Sequence, residues 1–231
     1  MKYLYSILSI TFFFVSCKKE EVVKPKVKYD TSTRKEVFRD TSKLGIVDLP
    51  IHFEGASVLV FPVGDLTVGD VNKGNYESSK TAYDNSANFN ISNSMENEIT
   101  GFFRNVKFQV IGQDSLRSLT EQVILIENMS YLKSKKTFVY TLSDNDTNQD
   151  NSIDNNDLNV LYLSDEQGSN FIKISPDLQE IIDWEYIEAS GKLFFRTLDD
   201  ANKNGQFDKN DNVHYFYYDF KQGKSVEFKP L

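Results

Sequence analysis

The chain has 231 residues, enough for one well-packed core or two small ones. Hydrophobic residues make up 39% and charged residues 26%, the balance of a globular protein, and the 13% of aromatic residues favours strands. The formal net charge of -8 would repel phosphate backbones, so we expect no nucleic-acid partner. A single cysteine excludes an intrachain disulfide, and two histidines are too few for most zinc sites.

Residues 1–17 predict an export signal. A lysine at position 2 precedes an almost wholly apolar run at 3–15, too short to span a bilayer as a permanent helix. The residues that follow, Phe14-Val15-Ser16-Cys17, resemble the bacterial lipobox in a Bacteroidetes-type form, with Phe in place of the usual Leu. The resemblance implies a lipid on Cys17 and an outer-membrane lipoprotein, on the cell surface or the periplasmic face. The alternative is a plain signal peptide with an incidental cysteine.

Residues 18–43 predict a flexible tether between lipid and domain. The segment is polar, rich in Lys, Thr and Asp, and carries Pro25. Its first residues, Lys18-Lys19-Glu20-Glu21, resemble a Bacteroidetes signal for export to the cell surface. A solvated charge cluster is the alternative interpretation of these four residues.

From about residue 44 the sequence predicts an all-β domain of antiparallel four-stranded meanders. Short runs of β-branched and aromatic residues alternate with turn residues, in three repeat units at about 44–119, 120–176 and 177–231. An Asn/Ser/Gly-rich insertion at 65–101 interrupts the first unit, and such a long loop is either functional or mobile. The predicted strands lie at 49–53, 57–63, 106–111, 116–119, 122–126, 137–142, 159–163, 171–174, 181–186, 192–197, 213–218 and 226–228.

A period near fifty residues built from four strands is typical of propeller blades. The sequence LYLSDEQGSN at 161–170, followed by ISPD at 174–177, resembles blades of the TolB-type propellers over about residues 120–231. The resemblance implies blade-like sheets, which with three units would form an open arc or close a ring by association of chains. An antiparallel β-sandwich remains the alternative.

Two acidic dodecapeptides lie at equivalent points of the second and third units. Loop 1 reads DTNQDNSIDNND at 146–157 and loop 2 reads DANKNGQFDKND at 200–211. Oxygen-bearing side chains at positions one, three, five, nine and twelve suit calcium, which takes about six to eight oxygens at roughly 2.3–2.6 Å. The chain must turn sharply at position six, where Gly205 and Asn151 are the residue types that accept a left-handed backbone.

Both loops resemble the EF-hand calcium loop, and more closely its dockerin-like variant with Asp at position twelve. The resemblance implies two calcium ions, with positions seven coordinating through their backbone carbonyls. Because the flanking segments look like strands, we expect the loops to lie within β-hairpins; purely hydrophilic turns are the alternative. The predicted ligands are Asp146, Asn148, Asp150, Ser152, Asp154 and Asp157 in loop 1, and Asp200, Asn202, Asn204, Gln206, Asp208 and Asp211 in loop 2.

Together these features favour a lipid-anchored, calcium-binding cell-envelope protein that serves as a binding or scaffold module without catalysis. The sequence holds no nucleophile elbow and no P-loop. A glycan or protein ligand is the expected partner besides the membrane. Trp184 and the aromatic run at 215–218 could form a carbohydrate-stacking face, although core packing is the favoured interpretation. The alternatives are a calcium-dependent hydrolase of an extracellular polymer and a dockerin-like assembly element.

Overall fold

The structure, a computed structural model, describes residues 26–29, 37, 43–66 and 90–230. The predicted signal and lipobox, with Cys17, lie outside these residues, as do residues 67–89 of the predicted insertion. Every regular element in the described ranges is a β-strand, which confirms the all-β prediction. No helix within those ranges is long and apolar enough to cross a membrane.

Fourteen strands are formed by the described residues. In chain order they are β1 (Leu44–Val47), β2 (Val58–Leu66), β3 (Asn90–Met95), β4 (Glu98–Phe103), β5 (Asn105–Val110), β6 (Arg117–Ser118), β7 (Leu125–Leu132), β8 (Thr137–Ser143), β9 (Val160–Asp165), β10 (Ile172–Lys173), β11 (Gln179–Ile187), β12 (Lys192–Asp199), β13 (Asn212–Asp219) and β14 (Lys224–Phe228).

The strands form three antiparallel sheets. The first sheet has the order β1-β2-β5-β6, the second β10-β9-β8-β7-β4-β3 and the third β11-β12-β13-β14. The third sheet is a four-stranded meander in chain order, and β7 to β10 form a second one, as the repeat predicts. The hairpin of β3 and β4 arises from the predicted insertion and its flank, and it extends the second sheet because β4 pairs with β7.

The predicted strand at 49–53 is wrong. This segment contributes only an isolated bridge between Ile51 and Val60, and the edge strand is instead β1, which pairs with the far end of β2. Pro50 explains the difference, since proline has no amide hydrogen to donate to a ladder. The first sheet therefore has four strands, and its edge strand begins at Leu44.

The second sheet is the middle layer of the molecule. Along its central strand β8, Phe138 and Tyr140 face a cluster shared with Val60 and Phe108 of the first sheet. Val139 faces the other way, into a second cluster that it shares with Leu193 and other residues of the third sheet. Because all three β8 residues are fully buried, the middle sheet has apolar neighbours on both faces. This stacking of successive meanders is compatible with the blade-like interpretation.

A buried carboxylate connects the first and second sheets. Glu166, in the turn after β9, accepts hydrogen bonds from the Ser57 amide at 2.7 Å and the Tyr131 hydroxyl at 2.8 Å. Burial alone would raise the pKa of Glu166, but the bonds from Ser57 and Tyr131 outweigh it and the pKa is lowered. A buried charge is tolerated here because its oxygens are hydrogen-bonded.

Candidate metal centre

Loop 1 and loop 2 occupy equivalent places in neighbouring sheets. Loop 1 connects β8 to β9 in the second sheet, and loop 2 connects β12 to β13 in the third. Each therefore closes a hairpin whose two strands pair along their length. The expected placement of the loops between strands is what the structure shows.

The backbone turns in the same way in both loops. At position six, Asn151 has a φ of 72° and Gly205 a φ of 81°. At position four, Gln149 and Lys203 both have a φ of 57°. Two left-handed residues separated by one position wrap each loop tightly. Asn151 and Gly205 at position six accept that conformation at low cost, whereas Gln149 and Lys203 at position four are strained by it.

Side-chain oxygens fix this conformation by accepting amide hydrogens inside the loop. The carboxylate at position one accepts the amides of positions five and six, at 3.0 and 2.8 Å in loop 1 and at 3.0 and 2.6 Å in loop 2. The oxygens at positions three, five and nine each accept the amide two residues further on, at 2.7–3.0 Å in both loops. The two sequences thus build one structure twice.

The carboxylate at position twelve closes each loop. Asp157 accepts the amides of Thr147 and Asp154 at 2.7 and 2.9 Å, and Asp211 accepts the equivalent amides at 3.1 and 2.6 Å. Burial raises the pKa of Asp157 to about 6, against the opposing effect of these hydrogen bonds. Asp157 is fully buried whereas Asp211 is half-exposed, so loop 1 is the more enclosed of the two.

Position eight differs between the loops. Ile153 is buried, and its carbonyl accepts a hydrogen bond from the Arg104 guanidinium at 2.8 Å. Phe207, at the same position in loop 2, is only half-buried. Position eight is therefore a buried anchor in loop 1 and not in loop 2.

Thr147, at position two of loop 1, is a residue that the motif does not reveal. Its hydroxyl lies 3.1 Å from the Asp157 carboxylate and accepts the Leu158 amide at 3.0 Å. Loop 2 has Ala201 at this position and lacks the hydroxyl. Position two carries no ligand in the calcium-loop pattern, so the sequence gives no signal for this contact.

The donor types of the loops fit calcium, but the acidic side chains do not converge into a cluster. Within the described ranges, no group of three or more His, Cys, Asp or Glu side chains is close enough to hold a metal ion. The predicted ligands instead include carboxylate, amide and carbonyl oxygens. A carboxylate has about four lone-pair sites. Asp157 accepts four hydrogen bonds in loop 1, three of them at Oδ1 and one at Oδ2, so Oδ2 is the oxygen that keeps a lone pair for a cation.

The aromatic residues considered for sugar stacking divide between two faces of the third sheet. Phe216 and Tyr218 are buried in the second cluster, against which Trp184 packs. Tyr215 and Tyr217 point to the opposite face, where both rings contact Phe228. The run at 215–218 is thus an alternating strand with one buried face, as the core-packing interpretation predicts.

No protein-family model matches this chain, and no curated protein shows significant similarity to it.

Proposed function

We propose that the protein is a calcium-binding, lipid-anchored module of the cell envelope, a non-enzymatic scaffold in which two calcium ions are structural. The observation that supports it is the equivalence of loop 1 and loop 2. Two dodecapeptides of different sequence adopt the same backbone turns and the same hydrogen bonds in neighbouring hairpins. The lipid on Cys17 and the place at the outer membrane rest on residues 1–17 and remain predictions.

The chemistry of the proposed sites follows from their oxygen donors. Calcium is a hard cation that binds carboxylate, amide and carbonyl oxygens in flexible geometry, which the donors at positions one, three, five, seven, nine and twelve provide. Loop 1 has four carboxylates, at Asp146, Asp150, Asp154 and Asp157, whereas loop 2 has three. Since affinity increases with ligand charge, loop 1 is the tighter site.

Isothermal titration with calcium tests the proposal. The wild-type protein takes up two calcium ions, with dissociation constants of about 10⁻⁴–10⁻³ M if the sites resemble other extracellular modules. Asp157→Ala and Asp211→Ala each weaken one site by about tenfold or more, because each removes a charged ligand. The affinity lost in Asp157→Ala exceeds that lost in Asp211→Ala.

Asp114→Ala is the matched control, since Asp114 is exposed and lies outside both loops. This variant binds calcium as the wild type does. The absence of a binding heat in the wild type, or an equal loss in Asp114→Ala, contradicts the proposal. A larger loss in Asp211→Ala than in Asp157→Ala contradicts the ranking of the two sites.

A further inference from the structure

A short segment of the predicted tether lies across both loops. The Lys26 amide donates to the Gly205 carbonyl of loop 2 at 2.8 Å, and the Lys28 amide donates to the Thr147 carbonyl of loop 1 at 2.8 Å. The Gln149 side chain of loop 1 donates in return to the Lys28 carbonyl at 3.0 Å. Residues 26–29, here named the strap, therefore bind to loop 1 and loop 2 at once.

Side chains of the strap strengthen this docking. Val27 is only 2% exposed, so apolar surface is buried under the strap. The Lys26 ammonium lies 3.0 Å from the Glu180 carboxylate of β11. Burial and the neighbouring carboxylate of Asp200, at position one of loop 2, raise the pKa of Tyr29. The strap thus lies beside a predicted ligand of loop 2.

The Thr147 hydroxyl connects the strap to a predicted ligand of loop 1. It lies 2.8 Å from the Lys26 carbonyl and 3.1 Å from the Asp157 carboxylate. A hydroxyl has one hydrogen, so it can donate to only one of these two acceptors at a time. When Asp157 ligates a cation its oxygen becomes the poorer acceptor, and the hydrogen is left for the Lys26 carbonyl.

Docking of the strap also requires both loops to be folded. The acceptors that the strap uses are backbone carbonyls at position six of loop 2 and position two of loop 1. Both carbonyls are directed by the turns that the position-one and position-twelve carboxylates hold in place. If either loop unwinds, the strap loses the hydrogen-bond partners that this loop supplies.

From these contacts we infer that the strap is a detachable clamp whose docking is linked to cation binding in both loops. The inference rests on the calcium binding proposed above. Calcium in the loops fastens the strap, and the docked strap in turn raises the calcium affinity of both loops, because linkage between two equilibria is reciprocal. The clamp joins the second and third sheets through a segment that belongs to neither.

Hydrogen exchange on the full chain tests the clamp. Calcium increases the protection of the Lys26 and Lys28 amides by about tenfold, within the range typical of coupled sites. Val27→Asp places a charge in the buried position of the strap and abolishes this protection. By reciprocity, Val27→Asp also weakens calcium binding at both loops by a similar factor, as isothermal titration on the same samples measures.

Val47→Asp is the control, because it makes the same substitution at an exposed position of β1, outside the strap and both loops. A second pair of variants tests the Thr147 hydroxyl as the connection between the strap and Asp157. In Thr147→Val calcium no longer increases the protection of the strap amides, whereas Thr147→Ser keeps the hydroxyl and the calcium-dependent protection. Calcium binding without a change in strap protection overturns the clamp and leaves the calcium proposal standing. Equal calcium affinity in Val27→Asp and wild type also overturns it. The absence of calcium binding overturns both proposals together.

Discussion

Gly168 lies in a turn that packs closely against a core side chain. It has a φ of +74°, and a Cβ atom added there would lie 2.4 Å from the ring of Phe108, a buried residue of the first core cluster. Gly112 has a similar φ of +87°, but a Cβ atom there meets no atom within 4 Å. An alanine at either position would have a strained left-handed backbone, but only at position 168 would its Cβ atom also clash with a neighbouring side chain.

We therefore expect Gly168→Ala to destabilise the protein more than Gly112→Ala does. The left-handed backbone costs both variants about 1–2 kcal/mol. Only Gly168→Ala must also displace a packed aromatic ring, which adds about 1–3 kcal/mol. Urea unfolding of both variants measures the difference, and equal losses of stability would show that the turn moves freely away from Phe108.

At the same scale, the motif identifies some residues of the candidate site and not others. The twelve-residue spacing predicts the turn at position six, because a left-handed backbone has a strong residue preference and is a local property. Thr147 and the strap could not be predicted in this way. Val27 and Lys28 lie in a polar segment about 120 residues before loop 1, and nothing local specifies their partners.

At the scale of elements, His214 of β13 lies between carboxylates of both neighbouring strands. Its Nδ1 is 2.8 Å from Glu227 of β14, and its Nε2 is 3.2 Å from Asp199 of β12. The hydrogen bond with Glu227 and the contact with Asp199 raise the pKa of His214 above its usual value, against the opposing effect of burial. A protonated His214 therefore holds the three strands together beside loop 2.

The pH dependence of this contribution has a definite sign. Because the pKa of His214 is higher in the folded state, the stabilisation is complete below the unfolded pKa of about 6.5 and is lost as pH rises through the folded pKa. We expect His214→Gln to reduce stability by more at about pH 5.5 than at about pH 8.5. Urea unfolding at both pH values measures the loss of stability. His52→Gln is the control, because His52 bonds to the uncharged Ala56 carbonyl whereas His214 contacts two carboxylates. A loss that is the same at both pH values would contradict this assignment.

Most of the third sheet could be predicted from the sequence, because its four strands follow one another along the chain. Buried and more exposed side chains alternate along most of β12 and part of β13, as the sequence pattern predicts. The hairpin of β3 and β4 could not. Strand β3 reads NISNSM, which has no alternation of apolar residues, and it is a strand because it pairs along the edge that β4 offers. Strand formation there is a tertiary effect that overrides local propensity.

At the scale of the whole molecule, the three stacked sheets place loop 1 and loop 2 in adjacent layers. The two core clusters hold the layers together on either face of the second sheet. The loops and strap add polar contacts between the second and third sheets at one end of the hairpins. The stacking order could be anticipated from the repeat, but the double burial of the middle sheet depends on contacts between units.

Calcium should therefore stabilise the whole fold and not only the loops. Binding to the folded form alone raises stability by mass action, and with two sites of dissociation constant near 10⁻³ M and about 10 mM calcium the gain is about 3 kcal/mol. For a domain of this size that corresponds to a rise in Tm of roughly 6–11 °C, which a chelator reverses. Differential scanning calorimetry measures the rise in Tm. An Asp157→Ala/Asp211→Ala double variant is the control, because calcium should raise its Tm only slightly. If the wild type melts at the same temperature in calcium and in chelator, the ions have no structural role in this fold.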